Sequence, residues 1–143
     1  MVAIRPWALA IALALSPVAF GTALAQTAAA PGTLTGKAAI KALIGNTMVF
    51  TGSGQSQYEM AVYVLADGTC RVADQVESKR IEWKIPLEWS IQGEGQFCMF
   101  EKGKRPAAGD CSMISITGDD VSLTAGNRPT QSWKLLKGNA RDF

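Results

Sequence analysis

Residues 81–92 read Ile81-Glu82-Trp83-Lys84-Ile85-Pro86-Leu87-Glu88-Trp89-Ser90-Ile91-Gln92, and this stretch decides the fold class. Every odd position is large and apolar, while every even position is polar or proline. A period of two predicts extended chain with one face buried and the other in water. We therefore expect Trp83 and Trp89 to lie on the same inward-facing side of a sheet.

The stretch is too long for one straight strand in a small domain. At about 3.3 Å per residue it would span roughly 40 Å. Pro86 lies on the polar face and cannot donate a hydrogen bond to a neighbouring strand. We expect a bend or break at Pro86, with Ile81–Ile85 and Leu87–Ile91 pairing with different neighbours.

Short β-rich runs separated by turn residues continue on both sides of this stretch. Asp67-Gly68 is a strong hairpin signal, and residues 74–79 read as a polar connection. The runs predict strands at Thr47–Thr51, Gln57–Leu65, Thr69–Ala73, Gln96–Glu101, Cys111–Thr117, Val121–Thr124 and Gln131–Leu136.

Thr35–Leu43 is the one convincing helical segment. Ile40, Leu43 and Ile44 form an apolar face, and Gly45 supplies the stop signal. One short N-terminal helix followed by seven or eight short strands predicts a mainly β fold, an antiparallel meander. Because the apolar face, with Trp83, Trp89 and Trp133, needs cover, we expect a strongly curled sheet or a small barrel.

The first 25 residues have the features of a cleaved leader. Arg5 precedes an apolar run, and Ala23-Leu24-Ala25 matches the small residues read by a signal peptidase. We expect a signal peptide at 1–25, a flexible tether at 26–34 and a single β-rich domain at 35–138, and we expect the last residues of the chain to fray. The leader predicts a periplasmic or secreted protein, with no transmembrane segment in the mature chain.

The cysteines of an exported chain are read first as disulfide partners. Cys98 and Cys111 flank a loop rich in Lys, Gly, Pro and Asp, and we expect them to pair. Such a bond would stabilise the fold by about 3 kcal/mol in the chain-entropy model. Cys70 then has two interpretations: a buried small apolar residue, which we favour, or a link to another chain.

A set of features follows in order along the chain: the short helix Thr35–Ile44, Gly45-Asn46-Thr47, Tyr63 with Asp67-Gly68, Trp89, Cys98 and Cys111. Together these features resemble small uncharacterised exported proteins of alphaproteobacteria, which form domain-of-unknown-function families. The resemblance covers residues 35–123, and it departs at Leu87-Glu88-Trp89, where a Gly-Thr-Trp is common. It implies the fold and export, and no activity.

Composition excludes several kinds of chemistry. The chain has no histidine, which removes Ser-His-Asp and Cys-His catalysis and the commonest zinc ligand. Without Arg5, 13 basic side chains stand against 12 acidic ones, so the charge gives no reason to bind nucleic acid. Asp119-Asp120 reads as turn chemistry rather than a catalytic pair. We expect no catalytic, metal or cofactor site.

The basic loop, Lys102, Lys104 and Arg105, is the most distinct charged feature. It reads either as a solvated hairpin tip or as a contact for an envelope protein or an anionic surface. The leading hypothesis is an exported, non-enzymatic binding domain of the bacterial cell envelope, inhibitor-like, with a protein partner. The alternative is a carrier of an apolar small molecule inside a barrel. The sequence leaves the oligomeric state open.

Overall fold

The computed structural model describes residues 32–52, 58–77 and 79–143. The expected signal peptide at 1–25 lies outside the described residues. One eight-residue helix, α1, covers Gly36–Leu43, and a 3-10 turn covers Ala108–Asp110. The strands are β1 (Thr33–Thr35), β2 (Thr47–Gly52), β3 (Tyr58–Val64), β4 (Thr69–Val76), β5 (Lys79–Glu82), β6 (Leu87–Gln92), β7 (Gln96–Glu101), β8 (Cys111–Thr117), β9 (Asp120–Thr124) and β10 (Gln131–Leu136).

The sheet closes into a small antiparallel barrel. Its strand order is β8-β7-β6-β4-β3-β2-β10-β9, and pairing of β8 with β9 closes the ring of eight strands. The two remaining strands extend the wall: β1 pairs with β8, and β5 pairs with β4. This confirms the predicted mainly β fold and decides for a closed barrel over an open curled sheet.

The helix closes one end of the barrel, which we call the closed end. Its buried face, Ala39, Ile40 and Leu43, belongs to the same core as the inward-facing strand residues. The start of the helix is pressed against the β6–β7 turn, since a Cβ added to Gly95 would lie 2.6 Å from the Cα of Gly36. Only glycine fits this contact, because Gly95 also has a φ of +127°.

The opposite end, which we call the open end, is formed by connections rather than by a helix. The antiparallel registers bring the β5–β6, β7–β8 and β9–β10 connections to this end. The β7–β8 and β9–β10 connections span residues 102–110 and 125–130. In the described residues, the barrel interior is therefore covered by the helix at one end and bordered by loops at the other.

The prediction about the burial of the 81–92 stretch is only partly right. Leu87 is buried and Trp89 half-buried, but Ile81, Trp83, Ile85 and Ile91 are exposed, by 43% for Trp83. For the first three the cause is the position of β5, which pairs along one end of β4 and leaves the closed ring, whereas Ile91 lies near the end of β6. Trp83 and Trp89 thus have different environments, although the barrel architecture stands.

The break at Pro86 is confirmed, since β5 ends before it and β6 begins directly after it. The two halves pair with different stretches of the same strand: β5 with Ala73–Val76 and the start of β6 with Thr69–Cys70. β6 also pairs along its length with β7. The expected polar connection at 74–79 is wrong at both ends, because β4 continues to Val76 and β5 starts at Lys79.

The predicted domain limits of 35–138 are too narrow. At the N-terminal side, Thr33 and Leu34, expected in the tether, pair with Thr117 and Ile116 in the sheet. After residue 138 the chain packs on the outer wall, where the ring of Phe143 stacks on Tyr63 at 6.3 Å between centroids. The expectation that the last residues fray is therefore wrong.

The C-terminal segment 138–143 is held by hydrogen bonds and an ion pair. The hydroxyl of Thr47, which is fully buried, donates to the carbonyl oxygen of Gly138 at 2.7 Å and accepts from the amide of Ala140 at 3.1 Å. Arg141 donates from Nε and Nη2 to the two carboxylate oxygens of Glu59 at 2.7 and 3.1 Å. This Glu59 contact raises the pKa of Arg141 above its ordinary value.

Candidate functional site

A cavity of about 680 Å³ occupies the barrel interior near the open end. Small-molecule sites in proteins range over about 300 to 1,000 Å³. Side chains at inward-facing positions of β2, β3, β7, β9 and β10 form its apolar wall. They are Met48, Phe50, Met60, Val62, Phe97, Met99, Leu123 and Trp133.

Strand parity explains why these residues share the cavity. Successive side chains of a strand point to opposite faces, so Met48 and Phe50 of β2 face the same way, as do Met60 and Val62 of β3. The pairs Met48–Val62 and Phe50–Met60 stand directly opposite each other across the β2–β3 ladder. The registers therefore collect apolar side chains on the inner wall.

Three of the wall residues are methionines: Met48, Met60 and Met99. Methionine has a flexible, unbranched side chain and a polarizable sulfur, so it adapts its shape to a neighbour. Met48 is buried, while Met60 and Met99 are half-buried. A wall with this composition can change its contour when the cavity is filled.

Trp133 belongs to the same wall and is only 5% exposed. Its ring lies 5.3 Å from the ring of Phe50, between centroids, at an interplanar angle of 46°. Its Nε1 atom is buried and has no hydrogen-bond partner among the described residues. A buried N–H without an acceptor costs about 1 to 3 kcal/mol, so this unpaired N–H lowers the stability of the folded state.

The mouth of the cavity has polar side chains from two loops. The Arg128 Nη2 donates to the carbonyl oxygen of Gly109 at 3.3 Å, which joins the β9–β10 loop to the β7–β8 loop. The Asp110 carboxylate accepts a 2.8 Å hydrogen bond from the amide of Ala107. Arg128 and Asp110 are exposed, so opposite charges border an apolar interior.

The expected disulfide is confirmed: Cys98 and Cys111 are bonded. They stand directly opposite each other on β7 and β8, with their Cα atoms 4.0 Å apart. The bond therefore fixes the base of the β7–β8 connection, which forms part of the cavity mouth. It is compatible with an oxidising compartment.

The basic loop lies on this same connection but outside the cavity. Lys102, Lys104 and Arg105 are all exposed, and Lys104 forms an ion pair with Glu101. The amide of Lys102 donates to the carbonyl oxygen of Pro86 at 2.9 Å, which places the loop beside the β5–β6 connection. The three predicted partner-binding residues are therefore together at the open end, without a shared pocket.

Cys70 is buried, in agreement with the favoured interpretation of this residue as a small core side chain. Burial, followed by the negative charge of Asp67, raises the pKa of the Cys70 thiol from its ordinary 9.0 to about 12. A thiolate is the reactive form of cysteine, so this thiol is a poor nucleophile at neutral pH.

Trp83 contributes to a second polar cluster near the open end. Its Nε1 donates to one carboxylate oxygen of Asp74 at 2.8 Å, and the hydroxyl of Tyr58 donates to the other at 3.0 Å. Burial, then the hydrogen bond with Asp74, raises the pKa of Tyr58. Tyr58 and Trp83 thus donate to the same carboxylate of Asp74, and the bond from Trp83 anchors its exposed indole to the end of β4.

Sequence reasoning missed the methionine-lined cavity. It expected Trp133 on the inward face, which is right, but it did not identify a space beside this residue. The available signal was that Met48, Met60 and Met99, in three different strands, have the parity of the inward-facing residues of those strands. Parity alone gives the direction of a side chain and not the volume left between walls.

Comparison with known proteins gives no match to any family model, curated protein or solved structure. Within the described ranges, no helix has the length and apolar character to span a bilayer. In the same ranges, no three side chains of Cys, Asp or Glu are grouped as metal ligands would be.

Proposed function

We propose that this protein is an exported binding protein for an apolar small molecule, which it holds inside the barrel at the open end. The observation that carries the proposal is the cavity of about 680 Å³ with a wall of apolar side chains. Burial of apolar ligand surface is favourable by roughly 25 cal/mol per Å². A periplasmic or secreted location follows from the leader-like residues 1–25 and fits the disulfide.

The cavity also favours this function over an inhibitor-like protein binder. Close packing around Trp133 would have opposed a carrier, and the space beside that residue instead supports one. The basic loop offers exposed charges but no shaped recess of its own. We retain an interaction at the basic loop as a second role of the same open end, since the two features are adjacent.

Binding of an apolar fluorescent probe such as phenylnaphthylamine tests the proposal. In Met60→Trp the larger indole takes up part of the cavity beside Phe50, and we expect probe affinity to fall at least about tenfold, which corresponds to about 1.4 kcal/mol. Met113→Trp is the matched control, because Met113 is 47% exposed and lies outside the cavity wall.

Three outcomes are informative. Probe binding that falls in Met60→Trp and persists in Met113→Trp supports the proposal. Probe binding that is equal in both variants, or absent from the wild-type protein, contradicts it. Thermal unfolding of each variant shows whether a loss of binding reflects a loss of fold.

A further inference from the structure

An exposed apolar ridge borders the open end of the barrel. It consists of Ile81, Trp83 and Ile85, which are 48%, 43% and 52% exposed. Large apolar side chains that are adjacent and exposed typically mark an interaction site. This ridge lies in the half of the 81–92 stretch that precedes Pro86, outside the closed ring, and the proposed carrier function gives it no role.

Basic side chains stand beside the ridge. Lys84 lies between Trp83 and Ile85 in sequence, and the hydrogen bond from the Lys102 amide to the Pro86 carbonyl brings the basic loop alongside. Trp83, Lys84, Ile85 and Lys102 all line one shallow recess of about 310 Å³. Part of the ridge and two of the cations therefore share one surface, with Ile81 two residues before Trp83 in the chain and Lys104 and Arg105 next along the basic loop.

Charge is distributed unevenly over the molecule. The segments 79–86 and 101–105 contain six basic and two acidic side chains, for a net charge of +4. The rest of the described chain contains seven basic and ten acidic side chains, for a net charge of −3. These two segments thus form a positive patch at an end of the barrel that also carries Asp74 and Asp110, and the patch complements a negative partner.

We propose that this surface docks on an anionic lipid bilayer, with the ridge entering the interface and the cations contacting the headgroups. We name it the docking surface; its residues are Ile81, Trp83, Lys84, Ile85, Lys102, Lys104 and Arg105. Tryptophan is favoured at bilayer interfaces, and lysine and arginine are attracted to anionic lipid. This combination suits lipid better than an acidic protein, because the apolar ridge also gains burial in the membrane.

The position of the docking surface also suggests how a ligand reaches the cavity. This part of the inference rests on the proposed function. The docking surface and the cavity mouth lie at the same end, joined by the β7–β8 connection. An apolar ligand could therefore pass from the bilayer into the barrel with little exposure to water.

Sedimentation with vesicles tests the inference on the protein purified after export from a bacterial host. We expect binding to vesicles of phosphatidylglycerol mixed with phosphatidylcholine, and at least about tenfold weaker binding to phosphatidylcholine alone. Raising the salt concentration should also weaken binding, because salt screens exposed charges.

Two variants and two matched controls locate the contact. Lys102→Gln/Lys104→Gln/Arg105→Gln should weaken binding at least about tenfold, since each cation contributes roughly fivefold near an anionic surface. Lys37→Gln/Lys41→Gln removes two exposed charges from α1 at the closed end and should change binding by less than about threefold.

The apolar contribution is tested in the same way. Ile81→Ser/Ile85→Ser should weaken binding several-fold while leaving the Trp83–Asp74 hydrogen bond in place. Ile91→Ser is the control, because Ile91 is 39% exposed but lies near the closed end.

The inference is overturned if the wild-type protein fails to sediment with anionic vesicles at low salt, or if the controls weaken binding as much as the variants. Sedimentation with envelope membranes but not with pure lipid would assign the surface to a protein partner and would also overturn it. The probe assay is done without vesicles, so failure of docking leaves the proposed carrier function standing, and failure of probe binding leaves docking separately measurable.

Discussion

Among single residues, Trp133 combines deep burial with an indole N–H that has no acceptor among the described residues. Trp89 provides the contrast, since its Nε1 donates to the carbonyl oxygen of Leu65 at 2.8 Å. The two residues face the same barrel interior and differ in the partner of one atom.

We expect Trp133→Phe to change the free energy of unfolding by less than about 1 kcal/mol, because loss of an unpaired donor offsets part of the lost packing. Trp89→Phe should cost roughly 1 to 2 kcal/mol, because it removes a hydrogen bond as well. Urea unfolding of both variants checks the difference. A larger loss in Trp133→Phe than in Trp89→Phe would contradict this ranking of the two indoles.

The buried Cys70 thiol should make the free energy of unfolding depend on pH. The thiol is buried and its pKa is raised to about 12 from 9.0, so above about pH 9 the unfolded chain loses a proton that the folded chain keeps. The unfolded state is therefore favoured as the pH rises from 9 towards 12. At about pH 10.5 this linkage costs roughly 2 kcal/mol.

The measurement is urea unfolding of the wild-type protein and of Cys70→Ala at about pH 8 and about pH 10.5. Other groups titrate in both proteins, so the informative quantity is the change in their stability difference. We expect the wild-type protein to lose about 2 kcal/mol relative to Cys70→Ala. An unchanged difference would contradict the raised pKa.

At the scale of elements, the C-terminal segment 138–143 completes the outer wall rather than trailing from it. The buried hydroxyl of Thr47 joins β2 to Gly138 and Ala140, with hydrogen bonds of 2.7 and 3.1 Å. These residues were expected to fray because their sequence has neither alternation nor helical period. Their order depends on side-chain hydrogen bonds to distant strands, which no local pattern reveals.

We expect Thr47→Val to destabilise the fold by about 1 to 3 kcal/mol, because it leaves a backbone carbonyl and a backbone amide without their partner. Thr51→Val is the matched control on the same strand; Thr51 is exposed, and the change should stay within about 0.5 kcal/mol. Thermal unfolding measures both. Equal stability of the two variants would contradict a stabilising role for the two hydrogen bonds of the Thr47 hydroxyl.

The element β5 shows where sequence reasoning about the fold reached its limit. Alternation in the 81–92 stretch correctly predicted extended chain, and Pro86 correctly predicted its interruption. The burial of Trp83 was wrong, because alternation describes the local geometry of a strand and not what covers its face. β5 leaves the closed ring, so the same pattern that is buried at Leu87 is exposed at Trp83 and Ile85.

At the scale of the whole molecule, the closed barrel and the Cys98–Cys111 bond could be predicted from short strands, tight turns and cysteine position. The cavity could not be predicted, because its volume depends on the distance between opposite walls of the barrel. It also depends on the helix, which fills only one end. The basic loop was identified from its charges, but its position beside the cavity mouth depends on the barrel registers. The candidate site thus combines features that lie far apart in sequence.

The four methionines of the described chain provide the most direct test of the central claim, that the barrel interior receives an apolar ligand. Met48, Met60 and Met99 line the cavity, whereas Met113 is exposed outside it. Methyl NMR spectra of methionine-labelled protein titrated with phenylnaphthylamine would report on all four at once. Binding in the barrel interior should give saturable shifts of the Met48, Met60 and Met99 signals and leave the Met113 signal unmoved. Shifts confined to Met113, or no saturable shift at all, would contradict binding in the interior.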